Sequence, residues 1–305
     1  MRVRLLGTAA GGGFPQWNCN CPNCRGVRSG TIRARPRTQS SVALSADGAR
    51  WFVLNASPDL RQQIESFAPL WPLAGVRGTG IGGVLLTSAD LDHTLGLLLL
   101  REGEGLVVHA TAAVRRALTE SLRLEEILTR YGGIAWREPP AELAPLLTGA
   151  GTASGLRYAA FAVPGKPPRY REAAAAPAPG DTVGYRLEDE TTRGCLVFIP
   201  NALALTESVL GHLRGGDALL LDGTFWSERE MIELGAGTRG ATEMGHQPVG
   251  GGAGSLSLVA GLPARVKVYL HINNTNPILR EDSAERHLLD AAGVLVGYDG
   301  QEFWV

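Results

Sequence analysis

The sequence has little of what marks membrane, secreted or nucleic-acid-binding proteins. Its formal net charge is -1 and it has no block of like charge, which argues against nucleic acid as a partner and against a charged interaction tail. Even the leucine-rich run from Leu95 to Leu100 is far shorter than the ~20 apolar residues of a membrane span. The first residues lack the apolar region and the small-residue cleavage site of a secretory signal. We therefore expect a globular protein of the cytoplasm.

Cysteine is also scarce, with four residues in 305, but three of the four lie in one stretch, Cys19-Asn20-Cys21-Pro22-Asn23-Cys24. This crowding, in a reducing compartment, argues against a disulfide framework. One short loop can wrap three thiolates around a single tetrahedral ion, and thiolates favour zinc, so we predict a structural zinc site. A redox site is the disfavoured alternative, because Pro22 and Arg25-Gly26 interrupt the helix that usually follows a redox Cys-x-x-Cys. Cys195 begins a predicted strand and is interpreted as core.

Strand and helix patterns alternate along two halves of similar rhythm, roughly 1–150 and 151–305. Strands are predicted near residues 3–6, 41–45, 51–55, 83–87, 106–109, 156–163, 183–187, 196–200, 218–221, 266–270 and 294–297. Helices are predicted near 57–67 (with Ser57 as its N-cap), after 93, and near 111–122, 124–131, 207–213, 227–234, 255–261 and 281–292. Such a mixture predicts an α/β fold with two mixed sheets that pack face to face under covering helices. The Ala- and Pro-rich stretch 173–180 is interpreted as a loop, so we expect one domain over 1–305.

The stretch Ser88-Ala89-Asp90-Leu91-Asp92-His93 follows the predicted strand 83–87, and open sheets place ligands at the carboxyl ends of their strands. On a tight turn the adjacent aspartate and histidine can converge on one metal ion. A third ligand should come from another strand end, and the best candidate is His271, directly after the strand 266–270. Two histidines and one carboxylate suit non-haem iron(II), which uses the open positions for oxygen chemistry. A mononuclear hydrolytic zinc uses the same ligand types, and an isolated Asp-His pair is often only a solvated loop or a helix cap.

Other polar residues are candidates for a place around this site. His246 lies in a glycine-rich loop and could border it, and Asp222 ends a predicted strand, where it either supports the site or only caps the turn. Substrate carboxylates would need basic partners, and loops that could supply them hold Arg37, Lys166, Arg169 and Arg171.

Seven blocks in order along nearly the whole chain resemble the family of B proteins of pyrroloquinoline quinone (PQQ) biosynthesis, within the metallo-β-lactamase superfamily. The blocks are residues 6–19, 55–60, 87–93, 199–201, 221–226, 244–248 and 271–277. The resemblance implies the αββα sandwich of that superfamily.

The resemblance also implies that one of the two metal positions of the superfamily survives here. Asp92, His93 and His271 match the ligands of one metal, whereas the second would need histidines where Ser88 and Asp90 stand.

Two asparagines match positions where superfamily members have metal ligands. Asn201 stands where two-metal members have a bridging aspartate. Asn274 stands where related phosphodiesterases complete a cysteine-rich zinc site with a histidine, so the resemblance makes it the fourth zinc ligand beside Cys19, Cys21 and Cys24.

Two functions are implied by the resemblance: an iron-dependent hydroxylase of the tyrosine ring of a Glu-Tyr-derived PQQ precursor, or a carrier of PQQ or a precursor towards the periplasm. We favour the first, because loss of the two-metal centre removes the means of activating water between two ions. In the hydroxylase function, iron(II) is held by Asp92, His93 and His271. Asp90 orients a ligand histidine or accepts the phenolic proton, and Asp222 supports the site. A single-zinc hydrolase is a further alternative. Contacts with other PQQ biosynthesis proteins and a homodimer are left open.

Overall fold

The computed structural model describes residues 1–103, 105–173 and 176–305, and within them fourteen strands form two seven-stranded mixed sheets. Part of the predicted loop over 173–180 lies outside the described residues. The strands of the first sheet, in spatial order, are β14 (Glu302–Trp304), β1 (Arg2–Gly7), β2 (Ser41–Ser45), β3 (Trp51–Leu54), β4 (Ile81–Leu85), β5 (Leu106–His109) and β6 (Ile134–Arg137). Those of the second are β13 (Leu295–Val296), β12 (Val266–Leu270), β11 (Ala218–Asp222), β10 (Cys195–Ile199), β9 (Val183–Asp189), β8 (Ala153–Ala162) and β7 (Ala144–Leu147).

Each sheet has one antiparallel and one parallel part. Strands β3 to β6 run parallel in the first sheet, and strands β10 to β13 run parallel in the second. The other neighbouring strands are antiparallel. Parallel neighbours bring their carboxyl ends to one edge of a sheet, so the residues after β11 and β12 lie side by side, as do those after β4 and β5.

Short helices cover the outer faces of the sheets. They are α1 (Pro22–Ser29), α2 (Leu60–Glu65), α3 (Leu91–Thr94), α4 (Gly96–Leu99), α5 (Ala112–Arg116), α6 (Leu124–Thr129), α7 (Glu207–Arg214), α8 (Glu230–Glu233), α9 (Ser255–Ala260) and α10 (Ala284–Ala291). No helix among the described residues is long and apolar enough to cross a membrane.

Three buried apolar layers follow from the alternation of side chains along the strands. On β3, Phe52 and Leu54 pack between the two sheets, while Trp51 and Val53 pack under the helices of the first sheet. On β11, Leu220 points between the sheets and Leu219 lies under the helices of the second. Because strands buried on both faces appear as continuous apolar runs, they are the ones that the sequence predicts best.

The predicted fold class is confirmed: two mixed sheets pack face to face with helices outside. Strands β5 and β12 have the predicted bounds, whereas β6, β7, β14 and α1 were not predicted. The first three of these are edge strands with one covered side at most, and β7 contains Pro145, which weakens a strand pattern.

The predicted start of the second helix is wrong. Helix α2 begins at Leu60, and the hydroxyl of Ser57 donates to Gln63 at 3.1 Å instead of capping the helix. The predicted helix over 111–122 is interrupted as well, because residues 117–121 form a π-helical turn after α5.

Candidate metal centre and cavity

The turn after β4 brings the adjacent aspartate and histidine into one buried corner. Asn55, in a left-handed conformation with φ of 60°, accepts from the Thr87 amide at 2.9 Å and donates to its hydroxyl at 2.9 Å. Helix α3 then begins at Leu91, so Asp92 and His93 lie on its first turn. Gly96 follows so close to the Ser57 carbonyl oxygen that a β-carbon would lie 2.3 Å from it, and this contact holds the turn against the chain after β3.

The tautomer of His93 follows from its neighbours. The Ser88 hydroxyl donates to Asp90 Oδ2 at 2.7 Å and lies 2.8 Å from His93 Nδ1, so it accepts the Nδ1 proton. His93 Nε2 is then a bare acceptor, and it is buried without a hydrogen-bond partner in the described chain. Burial lowers the pKa of His93 to about 4, so the ring is neutral at pH 7. A neutral, oriented and unpaired imidazole nitrogen is what a metal ligand requires.

His271 reaches the same corner from the second sheet. It follows β12 in a left-handed conformation with φ of 56°, and its Nε2 lies 3.0 Å from Asp92 Oδ2. Its Nδ1 lies 2.8 Å from the hydroxyl of Thr224, which donates to Asp222 Oδ1 at 2.6 Å. Burial alone would lower the pKa of His271, but the hydrogen bond that its Nε2 donates to Asp92, together with the negative charge of Asp92, raises it. Burial likewise opposes ionisation of Asp92, yet the two neighbouring histidines hold its pKa well below the usual value.

These three residues, predicted as ligands, are brought together. One potential ligand atom from each of Asp92, His93 and His271 lies within 4.8 Å of the other two. The potential ligand atoms come from two histidines and one carboxylate. His93 Nε2 has no hydrogen-bond partner among the described residues, and a bound cation would be its partner. The residues therefore fit a divalent metal ion.

Asp222 and His246 form a second group that shares His271. His246 Nδ1 lies 2.8 Å from Asp222 Oδ2, and its ring lies 5.5 Å from that of His271. Asp222 also accepts from the backbone amides of Ala202 and Thr224, at 2.8 and 2.9 Å. Asp222 thus accepts from the amides of the turn, contacts His246 directly and reaches His271 through the hydroxyl of Thr224.

Asp90 and Asn201 lie beside Asp92, His93 and His271, which we call the metal group because they fit a metal ion. Asn201 Nδ2 is 3.5 Å from Asp90 Oδ2, and its amide oxygen is buried without a partner in the described chain. Burial and the charge of Asp92 raise the pKa of Asp90 to about 6.

The three clustered cysteines surround one amide. Their sulfur atoms lie within 4.8 Å of one another. The side-chain nitrogen of Asn274 lies 3.1, 3.6 and 3.4 Å from the sulfur atoms of Cys19, Cys21 and Cys24. A half-turn of the amide places its oxygen there instead. The predicted fourth ligand therefore lies at the cysteines, with its nitrogen and not its oxygen towards them.

The prediction that Pro22 and Arg25-Gly26 interrupt a helix after the cysteines is wrong, because Arg25 and Gly26 lie within α1. Pro22 does not interrupt a helix but begins α1, where a missing N–H costs nothing because the first amides of a helix have no partner. Helix α1 is also tied to the strand end that carries His271, because Asn23 donates to the carbonyl oxygens of Asn274 and Asn276 at 3.2 and 3.0 Å.

A cavity of about 500 Å³ opens over the metal group. Its lining includes Lys166 and Arg169, two of the four basic residues considered from sequence. The other two lie elsewhere: Arg37 is buried and donates to Thr8 at 3.0 Å, and Arg171 lies 3.7 Å from Glu120. Arg239, also in the lining, was missed because no local pattern in its glycine-rich loop distinguishes it from a solvated arginine.

Residues 50–272 match the family model described as a beta-lactamase superfamily domain. The chain is 46% identical over 301 residues to coenzyme PQQ synthesis protein B of Ectopseudomonas mendocina, with 98% of each chain covered. It is 43% identical over 303 residues to the protein of that name from Methylobacillus flagellatus, with 99% of each covered. The chain belongs to the coenzyme PQQ synthesis protein B family. The predicted resemblance is thereby confirmed.

Solved structures agree with this assignment. The crystal structure of Zn²⁺-bound PqqB from Methylobacterium extorquens matches with a TM-score of 0.91 and 39% identity over the whole of both chains. A diphosphatase of the PhnP family matches with a TM-score of 0.68 at 18% identity, which is a likeness of fold alone.

Proposed function

We propose that this chain acts in PQQ biosynthesis as a mononuclear, iron(II)-dependent hydroxylase of the tyrosine ring of a Glu-Tyr-derived precursor. One observation carries the proposal: Asp92, His93 and His271 form a buried two-histidine, one-carboxylate group at a cavity, while Ser88 and Asp90 stand where a second metal would need histidines. A cytoplasmic location agrees with it, because reducing conditions keep the clustered cysteines as thiols.

In this proposal Asp92, His93 and His271 hold the metal. Iron(II) in such a ligand set supplies, when bound, the redox chemistry by which dioxygen hydroxylates an aromatic ring. The protein's part is to orient the ligands. Ser88 presents His93 in the required tautomer, and Thr224 does the same for His271.

The residues around the metal group give the cavity its proton acceptors. Asp90 lines the cavity and keeps one carboxylate oxygen near Ser88 and Asn201. With a pKa of about 6 its carboxylate is ionised at pH 7 and accepts the proton of a phenol placed beside it. His246, held by Asp222, lines the cavity on the other side of His271.

A structural zinc at Cys19, Cys21, Cys24 and Asn274 has a supporting role in the same proposal. It holds α1 against residues 271–276, and thereby the backbone that carries His271. Zinc has no redox chemistry, and four protein ligands would complete its tetrahedral coordination and leave no position for substrate.

The test is oxygen consumption by iron(II)-loaded protein with the dipeptide Glu-Tyr and a two-electron reductant such as ascorbate. The reductant is needed because one oxygen atom enters the ring and the other leaves as water. We expect oxygen uptake with a ring-hydroxylated product from the parent and from His212→Ala, a matched control in which a histidine stacked on Phe161, away from the cavity, is removed. We expect no uptake from His93→Ala or from zinc-loaded parent.

Other outcomes would favour the alternatives. Tight binding of PQQ or a precursor without turnover, unchanged in His93→Ala, would favour a carrier. Hydrolysis by the zinc-loaded protein, without oxygen, would favour a single-zinc hydrolase.

A further inference from the structure

Part of the cavity lining is basic. Lys166 and Arg169 come from the segment after β8, and Arg239 comes from the loop after α8. We call these three residues the basic wall. Glu172 adds one carboxylate to the same part of the lining, which leaves an excess of two positive charges there. A cavity surface of this kind attracts anionic ligands.

Glu172 shows what the basic wall holds. Its Oε1 lies 2.6 Å from Lys166 Nζ and 3.3 Å from Arg239 Nη2. Both cations also donate to the backbone carbonyl of Glu243, so their positions are set by a common acceptor. Partial burial acts to raise the pKa of Glu172, but the hydrogen bonds from Lys166 and Arg239 and the charges of both together lower it. An ionised carboxylate therefore lies between an ammonium and a guanidinium group.

Two contacts connect the segment that carries Lys166 and Arg169 to residues near the candidate metal centre. The hydroxyl of Tyr170 donates to the carbonyl oxygen of Ala89 at 2.9 Å. The aliphatic part of Lys166 lies against Gly245, where a β-carbon would be 3.3 Å from its Cε and where φ is +95°. Gly245 directly precedes His246, so the spacing between the basic wall and the metal group is built into the fold.

We propose that the basic wall is the subsite for a carboxylate of the ligand, and that Glu172 occupies it as an internal carboxylate which the ligand displaces. The inference rests on the proposed function and names its substrate class: a small molecule with an aromatic ring near Asp92 and His271 and a free carboxylate on Lys166 and Arg239. A carboxylate is favoured over a phosphate because the group already held there is a carboxylate. Glu172 is part-exposed and can turn to solvent when displaced.

Binding without turnover tests this inference. Calorimetric titration of zinc-loaded protein with Glu-Tyr is compared with titration by Gln-Tyr carrying a C-terminal amide. This amide has no free carboxylate at either the side chain or the C-terminus. For Glu-Tyr we expect Arg239→Gln to weaken binding by about tenfold or more, and Glu172→Gln to tighten it by about three- to tenfold. We expect neither change to affect binding of the amide.

Two further variants guard the result. Arg214→Gln breaks an arginine–glutamate pair with Glu207 that lies outside the cavity lining, and it should leave both titrations unchanged. If Arg239→Gln does not fold, Lys166→Met takes its place, with the same expected weakening.

Several results would overturn the inference. One is that Glu-Tyr and the amide bind with equal affinity, or that neither binds. Another is that Glu172→Gln has no effect on the binding of Glu-Tyr. A third is that inorganic phosphate displaces Glu-Tyr at concentrations where acetate has no effect. Oxygen uptake plays no part in the measurement. Carboxylate-dependent binding by a protein that never hydroxylates would refute the hydroxylase proposal and leave the subsite standing.

Discussion

At the scale of single residues, the most informative atom is His93 Nε2, which has no hydrogen-bond partner among the described residues. A buried polar atom without a hydrogen bond costs about 1–3 kcal/mol, so it persists only where something else makes use of it. The other ring nitrogen, Nδ1, donates a hydrogen bond to the Ser88 hydroxyl, which in turn donates to Asp90. The orientation of the proposed ligand thus depends on one hydroxyl group.

Replacement of Ser88 by alanine is therefore expected to weaken metal binding at this site by about 10- to 100-fold, without unfolding the protein. The measurement is a competition titration with a metal-binding dye. Ser257→Ala, which removes a hydroxyl bonded only within its own helix end, is the control and should bind metal as the parent does. An unchanged affinity in Ser88→Ala would show that Ser88 does not orient His93.

Glu230 is a second residue whose burial has a measurable consequence. Its carboxylate accepts from the Trp226 amide at 2.7 Å and from the Thr275 hydroxyl at 2.5 Å, and burial raises its pKa from 4.5 to about 7. Because the folded state binds this proton more tightly than the unfolded state, protonation of Glu230 stabilises the fold. This stabilisation is fully present below pH 4.5. It is lost as the pH rises through 7.

Glu230→Gln should accordingly gain stability relative to the parent as the pH rises from 5 to 8, by up to about 3 kcal/mol. The free energy of unfolding is measured by urea denaturation at both values. Glu233→Gln, at an exposed position of the same helix, should show no such change with pH. The same pH dependence in parent and Glu230→Gln would contradict the raised pKa.

At the scale of elements, the ends of strands and the loops after them hold the chemistry. Loop 19–24 with α1 and the segment 271–276 come from opposite ends of the chain, yet Asn274 lies over the three sulfur atoms. Burial raises the pKa of Cys24 to about 12, so without a cation this thiol stays protonated. The zinc proposed here would let all three sulfur atoms ligate as thiolates and would fasten the two segments together.

Cys21→Ser should lose one equivalent of zinc and lower Tm by more than about 5 °C, since the ion supports the fold before it supports chemistry. Metal analysis and thermal unfolding are the measurements. Cys195→Ser is the comparison: it changes a buried cysteine outside the cluster and should keep its zinc. A Cys21→Ser protein with full zinc content and the parent's Tm would contradict the assignment.

At the scale of the whole molecule, the two halves depend on each other. Strand β14, from residues 302–304, pairs with β1 in the first sheet, and the core between the sheets takes side chains from both halves. The metal group does so too, with Asp92 and His93 from one half and His271 from the other. We propose that residues 1–305 fold as one domain.

One domain should unfold in one step. With zinc in excess, circular dichroism and tryptophan fluorescence are expected to give coincident transitions in urea. Residues 1–150 and 151–305, produced separately, should remain unfolded, because each exposes the apolar face of its sheet. Two separate transitions of the intact chain would contradict the proposal.

Much of this could be predicted from the sequence because it is written in neighbouring residues. The spacing of the three cysteines, the Asp92-His93 pair at a strand end and the apolar runs of strands such as β11 are local patterns, and local patterns reflect the geometry of one loop or one strand. The two sheets packed face to face under helices were predicted from the mixture of strand and helix patterns, and the resemblance to a family implied the same sandwich. Asn274 was predicted through that resemblance alone, since no local pattern indicates it.

What only the tertiary structure decided are contacts between distant segments. His271 was a candidate from its place at a strand end, but its 3.0 Å contact with Asp92, 179 residues away in the chain, is set by the packing of the two sheets. The convergence of Lys166 and Arg239 on Glu172 from separate loops had no such signal in the sequence. Edge strands β6, β7 and β14 likewise owe their existence to neighbours more than to their own composition. The sequence by itself therefore determined which residues were capable of chemistry. The fold decided which of them meet, because a pairing between distant segments is set by the burial of the whole core and leaves no mark on the residues next to each partner.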